Sequence, residues 1–142
     1  AEGKLTAPGF PGWETAADYV LVEADGSKRL PAKAHAVWEP VLPPQRRRTV
    51  CVLGASAFGQ TIRQAAHRPA LYAALAGASE EDVIPPALAA RVLMAEGGFD
   101  VIYVNQIDRE DFDPALAGAF AQAVDCPVVA GSLRQKRWKR LR

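Results

Sequence analysis

The chain is poor in the residues that most often announce chemistry. Its 142 residues include two cysteines, two histidines and one methionine. Cys51 and Cys126 lie far apart, each inside an apolar run, and neither has a partner at zinc-ligand spacing; His35 and His67 are equally isolated. Spacing therefore excludes a zinc ribbon and a disulfide framework. It leaves two small hydrophobic thiols of the kind buried in proteins of a reducing cytosol. No apolar run nears the ~20 residues that span a bilayer, and no secretory leader is recognisable, so the chain reads as cytoplasmic and without a membrane segment. A phosphate cradle of the form G-x-x-x-x-G-K-[ST] is missing too. The Gly-Lys pair Gly3-Lys4 is followed by Leu5 and preceded by too little chain, and Gly54 to Gly59 contains no lysine. Phe58 takes the last position of a would-be G-x-S-x-G elbow, which removes Ser56 as a nucleophile. The start at Ala1 without an initiator methionine reads as a fragment or a processed chain.

What is present belongs to an ordinary globular domain. Hydrophobic residues make up 49% and charged residues 23%, enough apolar surface for one core at this length. The net charge of +1 hides an asymmetry. Residues 134–142 hold six Lys or Arg and no acid, so the body before them is acidic and the end is a basic tail. Trp138 lies within that tail, which reads as a solvated terminus rather than a nucleic-acid contact.

Four short apolar runs are rich in β-branched residues: Tyr19–Glu23, Thr49–Leu53, Asp100–Val104 and Pro127–Ala130. None alternates apolar with polar, the pattern of strands buried on both faces of a parallel sheet. Helices are expected over Pro69–Ala76 with Gly77 as C-cap, and over Pro86–Glu96 before Gly97-Gly98. A third should start at Pro114 with Asp113 as N-cap. Leu88, Val92 and Ala95 would share one face of the second, and Leu116, Phe120 and Val124 one side of the third. The order β–β–α–α–β–α–β predicts an α/β fold, a mostly parallel sheet flanked by helices. A Pro-rich loop from Gly26 to Arg48 separates the first two strands, long enough to be functional.

Ligands of open α/β sheets sit at the carboxyl ends of strands, and here acids, amides, hydroxyls and glycines recur at all four ends. Asn105-Gln106-Ile107-Asp108 is the sharpest case. A carboxylate there accepts from the N1–H and exocyclic amine of guanine, a donor pair that adenine lacks. Asn105 would tie this loop to a neighbour or reach N7, with Gly131-Ser132 as the second base-contacting loop. The same residues read equally as a strand-end turn. In Glu23-Ala24-Asp25-Gly26, the two acids would hold Mg²⁺ or orient a water, and Gly26 would let backbone approach phosphate; a polar turn is the plain alternative. Lys28, Arg29 and Lys33 on the adjoining loop would neutralise phosphate or face solvent.

The run Asp18 to Ser27, Pro31-Ala32-Lys33-Ala34, Glu39 to Pro43, His67-Arg68-Pro69, Asn105 to Asp108 and Val129 to Ser132 follow one another in a familiar order. Together with Gly3 to Thr6 they resemble the accessory family of selenium-dependent molybdenum hydroxylases, the YqeC type, over roughly residues 3–133. The resemblance implies a P-loop NTPase-like fold, incomplete here because the first strands and the phosphate loop are absent. Residues 1–133 would form a partial nucleotide-binding domain and 134–142 the tail. It further implies Mg²⁺ and a purine nucleotide, GTP or ATP, as cofactors, with Glu23 and Asp25 on the metal and Asn105, Asp108 and Ser132 on the base. Lys33, His67 and Arg68 become candidate contacts to a second ligand, and the partners would be a molybdenum hydroxylase or its pterin-cofactor machinery. Family members carry Lys where Gln106 stands, so the preferred base is open. The rival reading is a non-catalytic α/β module for an anionic ligand or a protein partner.

Overall fold

In the computed structural model, Gly12 and residues 17–142 are described. The opening Gly3–Thr6, part of the family resemblance, lies outside the described residues. Element order is β1 (Ala32–Lys33), β2 (Val50–Gly54), α1 (Ile62–Ala65), β3 (Ala66–His67), α2 (Pro69–Ala76), α3 (Pro86–Glu96), β4 (Val101–Asn105), α4 (Pro114–Gln122), β5 (Val128–Ser132) and β6 (Arg137–Arg140). A 3-10 turn at Ala55–Ala57 follows β2.

The main sheet has the order β2-β4-β5-β6, with β2, β4 and β5 parallel and β6 antiparallel to β5. A second, two-stranded sheet pairs β1 with β3 in parallel. The chain is thus a mixed α/β protein with a mostly parallel sheet, as the order of apolar runs predicts. Helix ends obey local chemistry. Pro occupies the first turn of α2, α3 and α4, and the Asp113 side chain accepts from Ala115 N–H to cap α4. Gly77 closes α2 in the left-handed conformation.

Packing departs from expectation in one respect. Cys51, Leu53, Ile102, Val104, Val128 and Ala130 are in register on one face and pack into or against the core with Tyr72, Val92, Leu93 and Phe120. Each fully buried aliphatic in this layer contributes about 1.5–3 kcal/mol. The helices lie against one another in chain order on this side, and alanines such as Ala73, Ala76, Ala89, Ala90, Ala117 and Ala121 fill the contacts. The other face is bare: Val50 and Val52 are 55% and 59% exposed, and Val101, Tyr103 and Val129 are half-buried. The reading of strands buried on both faces is therefore corrected, because the described helices all stack on one side. On α3 the inward positions are Ala89, Ala90, Val92 and Leu93, while Ala95 points outward, which also corrects the expected face.

Two further expectations fail. Tyr19–Glu23 is not a strand; Tyr19 is 87% and Leu21 94% exposed, and the run pairs with nothing in either sheet. The basic tail is not a loose terminus. Arg137–Arg140 pairs antiparallel with β5, Trp138 opposite Gly131, and all four side chains stay exposed. Gly131 makes that pairing feasible, since a Cβ there would lie 2.5 Å from the Tyr103 hydroxyl and 2.8 Å from Trp138 Cβ.

Candidate functional site

The carboxyl ends of β2, β4 and β5 converge, and their terminal residues Gly54, Asn105 and Ser132 lie along one edge. A pocket of about 390 Å³ opens there, lined by Ser56, Asn105, Gln106, Asp108, Arg109, Ser132 and Arg134. Asn105 Oδ1 accepts from Leu133 N–H at 3.2 Å, which fastens the loop after β4 to the loop after β5. Ile107 N–H reaches Gly131 O as well. The buried Ser132 hydroxyl accepts from Gln135 N–H at 3.0 Å and so shapes the turn into β6. Gln106 adopts a positive φ of 68° and accepts from the Ser56 hydroxyl at 2.7 Å. Asp108 is half-buried, and its carboxylate has no hydrogen bond or ion pair among the described residues. Asp108, the acid in the pocket lining, is thus unspent, while Asn105 holds the walls together. Asp108 also helps burial push the Tyr103 phenol upward. Arg109 is tied back to Asp111 through two hydrogen bonds.

A second polar cluster forms around β1. Lys33 is buried, and its ammonium meets Asp25 Oδ2 at 2.7 Å, Gly26 O at 3.0 Å and Glu39 Oε2 at 3.2 Å. His35, two residues on and therefore on the same side of the extended chain, meets the same Asp25 oxygen at 2.9 Å through Nε2. Its Nδ1 meets Glu96 Oε2 at 2.8 Å, and its backbone N–H donates to Glu96 Oε1 at 2.6 Å. The hydrogen bond to Glu96, helped by the charges of Glu96 and Asp25, raises the His35 pKa against the opposing effect of burial. Arg68 grips Glu39 with both ends of its guanidinium, at 2.9 and 3.1 Å, and lies over the Trp38 ring. That grip lowers the Glu39 pKa to about 2. His67 pairs with Lys33 across the β1–β3 register; burial, then Lys33 and Arg68, lower its pKa.

The structure brings Lys33, His67 and Arg68 together and commits Lys33 to Asp25 and Glu39, and Arg68 to Glu39. Asp25 is likewise engaged through Oδ2, Glu23 is exposed, and Gly26 is open, a Cβ there meeting nothing. Among the described residues no group of three or more His, Cys, Asp or Glu is placed to hold a metal. Three members of the cluster escaped the sequence reading: His35, Glu39 as an ion-pair partner, and Glu96. The Lys33–His35 spacing of two was a legible signal; Glu96, 61 residues from His35, carried none. Cys51 is partly buried against the core, and burial pushes its thiol up to about 12.

The two clusters meet at Gly54. Its N–H donates to Pro31 O at 2.8 Å, and a Cβ on it would lie 2.7 Å from Pro31 Cβ and 2.8 Å from Gln106 Oε1. Only glycine lets the loop before β1 lie against the end of β2 and the loop after β4 together.

Compared with known proteins, residues 2–70 match the model of the YqeC protein family. That stretch contains Asp18–Ser27, Lys33, Glu39, His67 and Arg68, most of the stations on which the resemblance was read. No curated protein and no solved structure matches the chain. No helix among the described residues is long and apolar enough to cross a membrane.

Proposed function

We propose that this YqeC-type chain binds a purine nucleotide at the carboxyl edge of its sheet and serves as a nucleotide-dependent accessory in maturing the cofactor of selenium-dependent molybdenum hydroxylases. The observation that supports the nucleotide reading is the unspent Asp108 carboxylate, half-buried in a 390 Å³ pocket whose walls are fastened together by Asn105. An unpaired acid in a concave polar site is available to accept two donors from one edge of a ring, and guanine presents such a pair. Ser132 and the Ser56–Gln106 pair offer further hydrogen bonds around it. The maturation role is supported by the family match over residues 2–70.

The P-loop NTPase-like reading puts the phosphates toward Glu23, Asp25 and Gly26, across Gln106 from the base pocket. Mg²⁺ is commonly held by one or two carboxylates together with substrate phosphates. Glu23 and the Asp25 oxygen not taken by Lys33 and His35 are the groups that would serve it. The metal would supply charge neutralisation to the phosphates. The rival reading, a non-catalytic module, is favoured by the same salt-bridged Asp25, since a carboxylate already paired with Lys33 and His35 is a weakened metal ligand.

Titration calorimetry with Mg-GTP and Mg-ATP separates these readings. Nucleotide binding that needs Mg²⁺ and is weakened by Glu23→Gln supports the NTPase-like site. Binding of nucleotide that is indifferent to both supports the module, and no binding of any purine nucleotide removes the base-reading role.

A further inference from the structure

The basic tail is a strand, and that changes what its charge can do. Residues 134–142 hold six Lys or Arg and no acid. Both ends of the segment are fastened: Gln135 N–H donates to the Ser132 hydroxyl, and Leu141 N–H donates to Val128 O at 2.9 Å. Between them β6 pairs with β5 at four successive positions, so its cations stand at fixed intervals rather than on a loose end. Directly paired residues of an antiparallel ladder share a face. Trp138 and Arg140 therefore lie on the side of Gly131 and Val129, and Arg137 and Lys139 on the side of Ser132 and Ala130. Both sides are open: all four side chains are exposed, Trp138 by 67%. Among the described residues little neutralises these cations. Arg142 meets Asp125 at 4.0 Å, and no other cation of the segment forms an ion pair. Burying unpaired cations under apolar chain is strongly unfavourable, so the natural complement of this surface is an anion.

We propose that β6 is a docking ridge for single-stranded nucleic acid, with phosphates along its cations and a base stacked on Trp138. Charge complementarity chooses a polyanion, since a row of unneutralised cations is matched by a row of phosphates. The exposed indole, between Arg137 and Lys139 in sequence, chooses one with open bases. An aromatic ring set among cations is a sequence-tolerant platform on which unpaired bases stack. A duplex keeps its bases stacked on one another and offers a lone ring no base face. An anionic lipid surface needs an apolar face opposite a charged one, whereas cations occupy both faces of β6. An acidic polypeptide matches the cations alone. The ridge lies at the opposite edge of the main sheet from β2, and the inference stands independently of whether a nucleotide binds at Asp108.

The test follows binding of a fluorescein-labelled oligouridylate of about ten nucleotides to the full chain by anisotropy, over a series of salt concentrations. Uridine is a pyrimidine, so the purine reading of the Asp108 pocket does not enter. Binding is expected at low salt, and log affinity should fall linearly with log salt, with a slope shallower by about 0.7 in Lys139→Gln. Trp138→Ala should weaken binding by about fivefold or more, the loss of one stacked base, and Trp138→Phe should restore most of it. Lys139→Gln leaves the backbone pairing of β6 alone, so it tests the ridge separately from any disturbance that Trp138→Ala causes. No binding at low salt overturns the proposal, as does an affinity that Trp138→Ala leaves unchanged. Equal binding of polyglutamate overturns it in favour of an acidic polypeptide, and preference for phosphatidylserine vesicles over the oligonucleotide in favour of a lipid surface.

Discussion

The cluster around β1 and the loop after β4 are both polar, and they differ in what is left over. Around β1, Lys33, His35 and Arg68 are matched to Asp25, Glu96 and Glu39, in an array whose side chains are mostly covered. In the loop after β4, Asn105 is used to fasten walls while Asp108 carries no partner among the described residues. A saturated array contributes rigidity and holds an irregular chain segment in place; an unsaturated acid in a pocket is poised for a ligand. Residues of the same chemical type thus take opposite roles according to whether the fold has already neutralised them. The irregular segment 17–48 relies on charge because it offers little regular backbone pairing, β1 being two residues long.

That contrast is broken most forcefully at its buried cation. Lys33→Met leaves Asp25 and Glu39 facing each other without the ammonium and should cost about 3 kcal/mol or more of unfolding free energy, read by urea denaturation. A loss within ordinary surface scatter would show the array to be decorative. Gly54→Ala attacks the junction between the two regions, driving a Cβ into Pro31 and Gln106. A destabilisation of about 1–3 kcal/mol is expected, as for other overpacked sites, together with a disturbed base pocket.

The His35 link gives a smaller effect with a definite sign. Its pKa in the folded chain lies above the ordinary value of 6.5, so the folded state binds the proton more tightly than the unfolded chain. The stabilisation is fully present below about pH 6.5 and is lost as pH rises through the raised pKa. Glu96, Asp25 and Lys33 are the charges facing the ring. His35→Gln should flatten that part of the stability profile, and a persistent fall across the same window in the variant would assign it elsewhere. The smallest expected effect on stability comes from Asp108→Asn, within about 0.5 kcal/mol, because no partner is lost.

Much of the regular scaffold could be read from the sequence because each element declares itself locally. Helices α2 and α3 have the predicted boundaries and α4 the predicted start, set by proline at the first turn and, for α2 and α3, glycine after the last. The runs Thr49–Leu53, Asp100–Val104 and Pro127–Ala130 became β2, β4 and β5 with shifts of one or two residues. The run Tyr19–Glu23 carried the same composition and did not become a strand, since strand formation needs a neighbour and β2 leaves it across an open cavity. Conversely Arg137–Arg140 looked like a solvated tail, yet it pairs along β5, where Gly131 leaves room for Trp138. Paired strands of two residues, β1 and β3, are too short to leave a pattern. Asn105 and Ser132 were legible as neighbours because both end parallel strands. Glu96 reaching His35 was not, because that contact depends on where α3 packs.

Asp108 decides the nucleotide reading most directly. The carboxylate accepts two donors from guanine; Asp108→Asn turns it into an amide with one acceptor and one donor, which suits xanthine with its carbonyl in place of the amine. Calorimetry of Mg-GTP and Mg-XTP against the wild type and Asp108→Asn should show the wild type preferring GTP and the variant preferring XTP, at unchanged stability. Identical affinities of both proteins for both nucleotides would contradict the account.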